Sequence, residues 1–138
     1  MPGYFVRPLW ELPAIAPEEE GDPDWFPIQH FFGLQAFGMN AYRAEAAGIQ
    51  LIGDHDELHS AHEELYVVLR GRARFTLAEE TVEAGAGTVV AVPDPSVRRS
   101  AVSLEPDIAV LAIGAEPHGE FVSSWDARHF EGVPCVRE

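Results

Sequence analysis

The chain of 138 residues has no lysine; all nine of its bases are arginine, against 23 acids, and its formal net charge is -14. Such a field repels phosphate backbones and anionic headgroups, which argues against nucleic acid and membrane surfaces as partners. A single cysteine, Cys135, allows no internal disulfide and reads as a thiol of the tail. No apolar run approaches the ~20 residues that span a bilayer. The segment from Met1 to Pro8 lacks an apolar signal core, so a soluble cytoplasmic protein is expected. Internal repeats and long helical periodicities are missing too. What is present is ordinary for one globular domain: 46% hydrophobic and 23% charged residues, enough apolar side chain for a core without staples.

Three regions follow from the composition. Residues 1–33 form an arm rich in proline, acids and aromatics. Pro8, Pro13, Pro17, Pro23 and Pro27 block helix interiors and central strands, which leaves an extended segment with room for one short strand. Its Trp10, Trp25 and Phe26 are more than a solvated linker needs and are expected to dock on the domain or on a second subunit. In residues 34–116, short apolar runs alternate with glycine and acidic turns, giving strands near 36–46, 48–54, 64–70, 72–78, 80–84, 88–92, 97–103 and 107–114. That spacing predicts an all-β sandwich or barrel. Gly71 predicts a hairpin between 64–70 and 72–78, with Leu65, Val67 and Leu69 on one face and Tyr66 and Val68 on the other. Residues 117–138 are read as a tail packed on the barrel, with a short helix near 124–130.

Two stretches carry a resemblance. Residues His62 to Gly71 read His-Glu-Glu-Leu-Tyr-Val-Val-Leu-Arg-Gly, in which Glu64 is followed by six residues and a glycine. Gly87 is followed by five residues and Pro93. These resemble the two motifs of the cupin family, and the resemblance covers residues 36–115. It implies a cupin-type antiparallel β-barrel, the double-stranded β-helix or jelly roll, and a homodimer as the assembly. It also implies a divalent ion (Fe, Mn, Ni, Cu or Zn) held by imidazoles and a carboxylate that project into the barrel. The chain departs from the family pattern: the histidine expected five positions after Pro93 is Arg98, the glycine two after it is Pro95, and no His-x-His pair exists.

The candidate metal ligands are therefore His55, His59, His62 and Glu64, from a segment dense in histidine and acid. Counting back from Glu64, the family's second histidine falls on His59 and its first on Glu57. Each candidate has a plainer reading, a solvated acidic loop for the histidines and a solvated strand end for Glu64. His30, His118 and His129 read as structural or exposed. Candidate ligand-binding residues are Tyr66, which shares strand parity with Glu64, and Arg98, a guanidinium suited to gripping an anionic small molecule. Arg70, Arg72, Arg74 and Arg99 read as surface charge.

Two functions follow. One is a small-molecule-binding cupin whose metal site is altered or absent. The other is a metal-dependent dioxygenase, isomerase or decarboxylase; no catalytic residue is assigned. A purely structural or partner-binding domain stands as a third reading, because one fold hosts many chemistries. Arg98 makes the first two exclusive. Either it pairs with Glu64 in a metal-free barrel, or Glu64 binds a metal and Arg98 turns away.

Overall fold

The computed structural model describes residues 3–117, 128, 131 and 132. Apart from Arg128, the expected helix near 124–130 lies outside the described residues, as do His118, His129 and Cys135.

Among the described residues, nine strands and one short helix follow a 3-10 turn, Leu9–Glu11. They are β1 (Asp24–Pro27), α1 (Ile28–Phe32), β2 (Gly38–Ala44), β3 (Gln50–His55), β4 (Glu63–Arg70), β5 (Arg72–Leu77), β6 (Glu80–Gly85), β7 (Val89–Val92), β8 (Arg99–Ser103) and β9 (Ile108–Ala115). One antiparallel sheet runs β1-β2-β9-β4-β7 and the other β3-β8-β5-β6. The all-β barrel is as expected, and the strands fall within a few residues of the apolar runs. Among the described residues, no helix is long and apolar enough to cross a membrane.

The alternation of β4 is also as expected. Tyr66 and Val68 are buried and Leu69 is exposed. Its partner is not. β4 pairs with β7 and β9, while β5 lies in the other sheet against β6 and β8. Gly71 is thus a corner between sheets and not a hairpin turn. A link of one residue is too short for the two-residue loops that hairpins favour. Both edges of β4 are already occupied. The corner is tight: Gly71 has φ +75°, and a Cβ there would lie 3.1 Å from the Asp107 carbonyl and from Ile108. A hairpin joins β5 to β6 through Ala78 and Glu79, with Leu77 opposite Glu80.

Two apolar clusters flank the larger sheet. Between the sheets, Tyr66, Val68, Phe75, Ala101, Ile108 and Val110 are all but inaccessible. On the outer face, Leu12, Phe26, Ile28 and Ala41 form a second cluster with Trp10 and Leu111. The arm's aromatics therefore dock on the chain's own sheet. Trp10 meets Phe26 edge-on at 5.2 Å, and the guanidiniums of Arg43 and Arg70 stand 5.1 and 5.0 Å from its ring. Strand β1 extends the sheet beside β2, so the arm is a strand and a helix turn and is not extended throughout.

Candidate functional site

The inner faces enclose a cavity of about 470 Å³. Tyr42 and Asn40 reach it from β2, His55 from β3, and Glu64 and Tyr66 from β4. Glu57 and His62 enter from the link between β3 and β4, and Gln29 from α1. Glu64 shares strand parity with Tyr66 and Val68, so the fold commits a carboxylate to an apolar interior, which is costly without a partner.

That partner is Arg99. It opens β8, where it shares the inward parity of Ala101 and Ser103, and it is 0% exposed. Its Nη1 donates to Glu64 Oε1 at 2.7 Å. Nε and Nη2 donate to the Val97 carbonyl at 3.0 and 2.8 Å, and Nη2 also to that of Asp94. Tyr66 donates its hydroxyl to the same Glu64 oxygen at 2.6 Å. Burial, then the hydrogen bond and charge of Glu64, push the Tyr66 phenol far up, with Arg99 opposing. Tyr42 is also pushed up, by burial and then by the charges of Glu64 and Glu57. Both rings stay protonated.

A second acid sits at the mouth. His55 places Nδ1 2.6 Å from the Gly53 carbonyl and Nε2 3.0 Å from Glu57 Oε1. Both are acceptors, and a neutral imidazole, with one N–H, donates to one of them at a time. Ser60 donates to the other oxygen of Glu57. Burial pushes the Glu57 carboxyl up, but the Ser60 hydroxyl, the His55 hydrogen bond and the charges of His55 and His62 outweigh it and hold it below the ordinary range. Glu64 thus has a fixed cation in Arg99, and Glu57 has hydrogen-bond partners in Ser60 and His55.

Of the residues singled out from the sequence, His55, His62, Glu64 and Tyr66 line the cavity. His59 does not; it is exposed in the turn over residues 58–61. Arg98 corrects the reading by one residue. It lies outside the barrel, exposed, 3.1 Å from Asp54 and 3.7 Å from Asp56. Counting from Pro93 assumes a fixed loop length, but the core positions Ala101 and Ser103 set the parity of β8, and that parity turns Arg99 inward. The alternation itself was the available signal. Gln29, Asn40 and Tyr42 carried none, because the packing of other segments alone makes them neighbours of Glu64.

The fold family implies a metal, and the donors can be tested for fit. One ligand atom each of His55, Glu57 and Glu64 lies within 4.8 Å of the others. Donors about 2.0–2.2 Å from one ion stand roughly 3–4 Å apart, so the span is suitable. The charges are not. Glu64 Oε1 already accepts from Arg99 and Tyr66. A dication on that oxygen would share it with a buried guanidinium that already donates to it at 2.7 Å. As arranged, the three residues do not fit a divalent ion.

No family profile and no curated protein matches the chain. Solved structures do. A Cupin 2 conserved barrel domain protein from Salinispora arenicola is similar at 18% identity and TM-score 0.65, over 84% of this chain and 92% of that one. A cupin protein from Bacteroides fragilis is similar at 17% identity and TM-score 0.64, over 90% and 93%. KdgF from Halomonas sp. is similar at 18% identity and TM-score 0.61, over 83% and 93%.

Proposed function

We propose that this chain, which has the cupin fold, binds a small uncharged polar molecule in its barrel cavity, with Arg99 compensating Glu64 where other designs would use a metal. One observation carries the reading: a fully buried guanidinium donates to Glu64 at 2.7 Å beside a cavity of about 470 Å³. With Glu64 matched by Arg99 and Glu57 held by Ser60 and His55, the lining is rich in hydrogen-bonding groups. Tyr42 and His62 face the cavity without a hydrogen bond among the described residues. Those are features of a site for hydroxyls and carbonyls. An anionic ligand was expected on the strength of Arg98, whose guanidinium instead sits among surface acids. A homodimer belongs to the same reading.

The spacing of His55, Glu57 and Glu64 favours a second reading, a metal-dependent enzyme. Elemental analysis decides between them, combined with melting curves in chelator and in D-glucose, myo-inositol, D-gluconate and D-glucosamine. The proposal expects no stoichiometric metal, no effect of chelator, and stabilisation by a neutral compound above its charged analogues. Stoichiometric metal with a chelator-induced fall in Tm would overturn it in favour of the enzyme. Stabilisation by gluconate alone would overturn the ligand class.

A further inference from the structure

The polar groups around the cavity are not mixed at random. Gln29 Oε1 accepts the backbone N–H of Met39 at 2.6 Å. Asn40 Oδ1 accepts the indole N–H of Trp25 at 2.7 Å. A backbone N–H and an indole N–H can only donate, so in both carboxamides the pinned atom is the oxygen. The NH2 of each is what remains, and among the described residues neither makes a hydrogen bond. Both residues line the cavity beside Gly38, where no side chain intervenes. The pinning follows from register. Trp25 stands opposite Tyr42 across β1 and β2, which puts it diagonal to Asn40 on the same face. Gln29 is delivered by α1, whose Ile28 is anchored in the outer cluster with Phe26. The remaining polar lining is different in kind, with Glu57 an ionised acceptor and Glu64 close by.

We infer that Gln29 and Asn40 form a donor-only subsite, built by the N-terminal arm, that takes an uncharged oxygen acceptor of the ligand, a carbonyl or ether oxygen. The Glu57 end takes the ligand's hydroxyl donors. The inference deepens the proposed function and rests on it for the identity of the cavity as a binding site. The polarity is fixed before any ligand arrives, so the orienting cost is met in folding.

The test uses dimethyl sulfoxide, which accepts and cannot donate, and methylammonium, which donates and cannot accept. Each is titrated into the full chain while the side-chain NH2 and indole signals are followed by nitrogen-15 NMR. Dimethyl sulfoxide is expected to move the NH2 signals of Gln29 and Asn40, and methylammonium is not. Gln29→Glu and Asn40→Asp keep the pinned oxygen and exchange the free donor for an acceptor. Each is expected to weaken dimethyl sulfoxide binding about tenfold, the equivalent of one lost hydrogen bond. The Trp25 indole signal should stay in place in Asn40→Asp. Should an acidic variant fold poorly, Trp25→Phe keeps the ring, frees Asn40 to turn over, and is expected to weaken the same response. Dimethyl sulfoxide binding that is unchanged in all three variants would overturn the inference. So would wild-type NH2 signals that do not move. Sugar or inositol binding indifferent to the acidic variants would sink the subsite and spare the proposed function. Dimethyl sulfoxide binding at Gln29 and Asn40, with no polyol bound at all, would do the reverse.

Discussion

Arg99 and Glu64, 35 residues apart in the chain, meet as an ion pair of 2.7 Å, with the arginine wholly buried and the glutamate, 14% exposed, lining the cavity. Neither element of the pair is stable alone in that setting. The carboxylate is fixed inward by the parity of β4, and the guanidinium by the parity of β8. Removing one partner leaves the other charged in a low-dielectric interior. Arg99→Ala is accordingly expected to lower the unfolding free energy by about 3–5 kcal/mol, measured by urea denaturation. The double variant Arg99→Met with Glu64→Gln should recover much of that loss. Arg98→Ala, at an exposed pair, should leave the midpoint almost unmoved. Comparable losses at both arginines would mean that the buried pair is not the one that matters.

The tyrosines give an alkaline test. Tyr42 and Tyr66 are raised in the folded state, so their neutral form is what the fold holds. Their contribution is whole below the unfolded value of about 10 and is lost as pH rises from there toward the folded values. A spectrophotometric titration should show two of the three tyrosines ionising only as the chain unfolds. Tyr66→Phe should remove one of those two late phenolates. Three phenolates appearing together near pH 10 would contradict the buried network.

Glu57 gives the acid counterpart. Its folded value is depressed, so its contribution is whole above the unfolded value of about 4.3 and is lost as pH falls through the folded value. Thermal melts below pH 5 should therefore decline less steeply in Glu57→Gln than in the wild type. Parallel acid limbs would show that Ser60 and His55 do not hold the carboxylate in solution.

Gly114 tests the space that Glu64 needs. A Cβ at Gly114 would lie 2.9 Å from Glu64 Cγ and 3.2 Å from the Glu63 carbonyl. Gly114→Ala is expected to cost about 1–3 kcal/mol, as overpacking does, and to push Glu64 off Arg99. Crystallography of the variant would show the displaced carboxylate. An undisturbed 2.7 Å contact would mean that the backbone of β9 yields instead.

The sequence alone determined where most of the strands lie and how the side chains of β4 alternate. Apolar alternation, glycine and proline act within a few residues, and parity along β4 is enough to send Glu64, Tyr66 and Val68 inward together. It also determined that a histidine- and acid-rich segment would precede that strand and supply its neighbours. Pairing was a different matter. Gly71 carries the signal of a turn, but whether a turn returns a strand to its neighbour or passes it to the facing sheet depends on which edges the rest of the barrel has filled. Only the tertiary structure decided that β4 sits between β7 and β9. The choice of Arg99 over Arg98 was legible in principle from Ala101 and Ser103, and motif counting hid it because loops vary in length while strand parity does not. The donor pair Gln29 and Asn40 was not legible at all. Each carboxamide acquires its direction from a partner across the sheet or on a packed helix, so its chemistry exists only once the arm has docked.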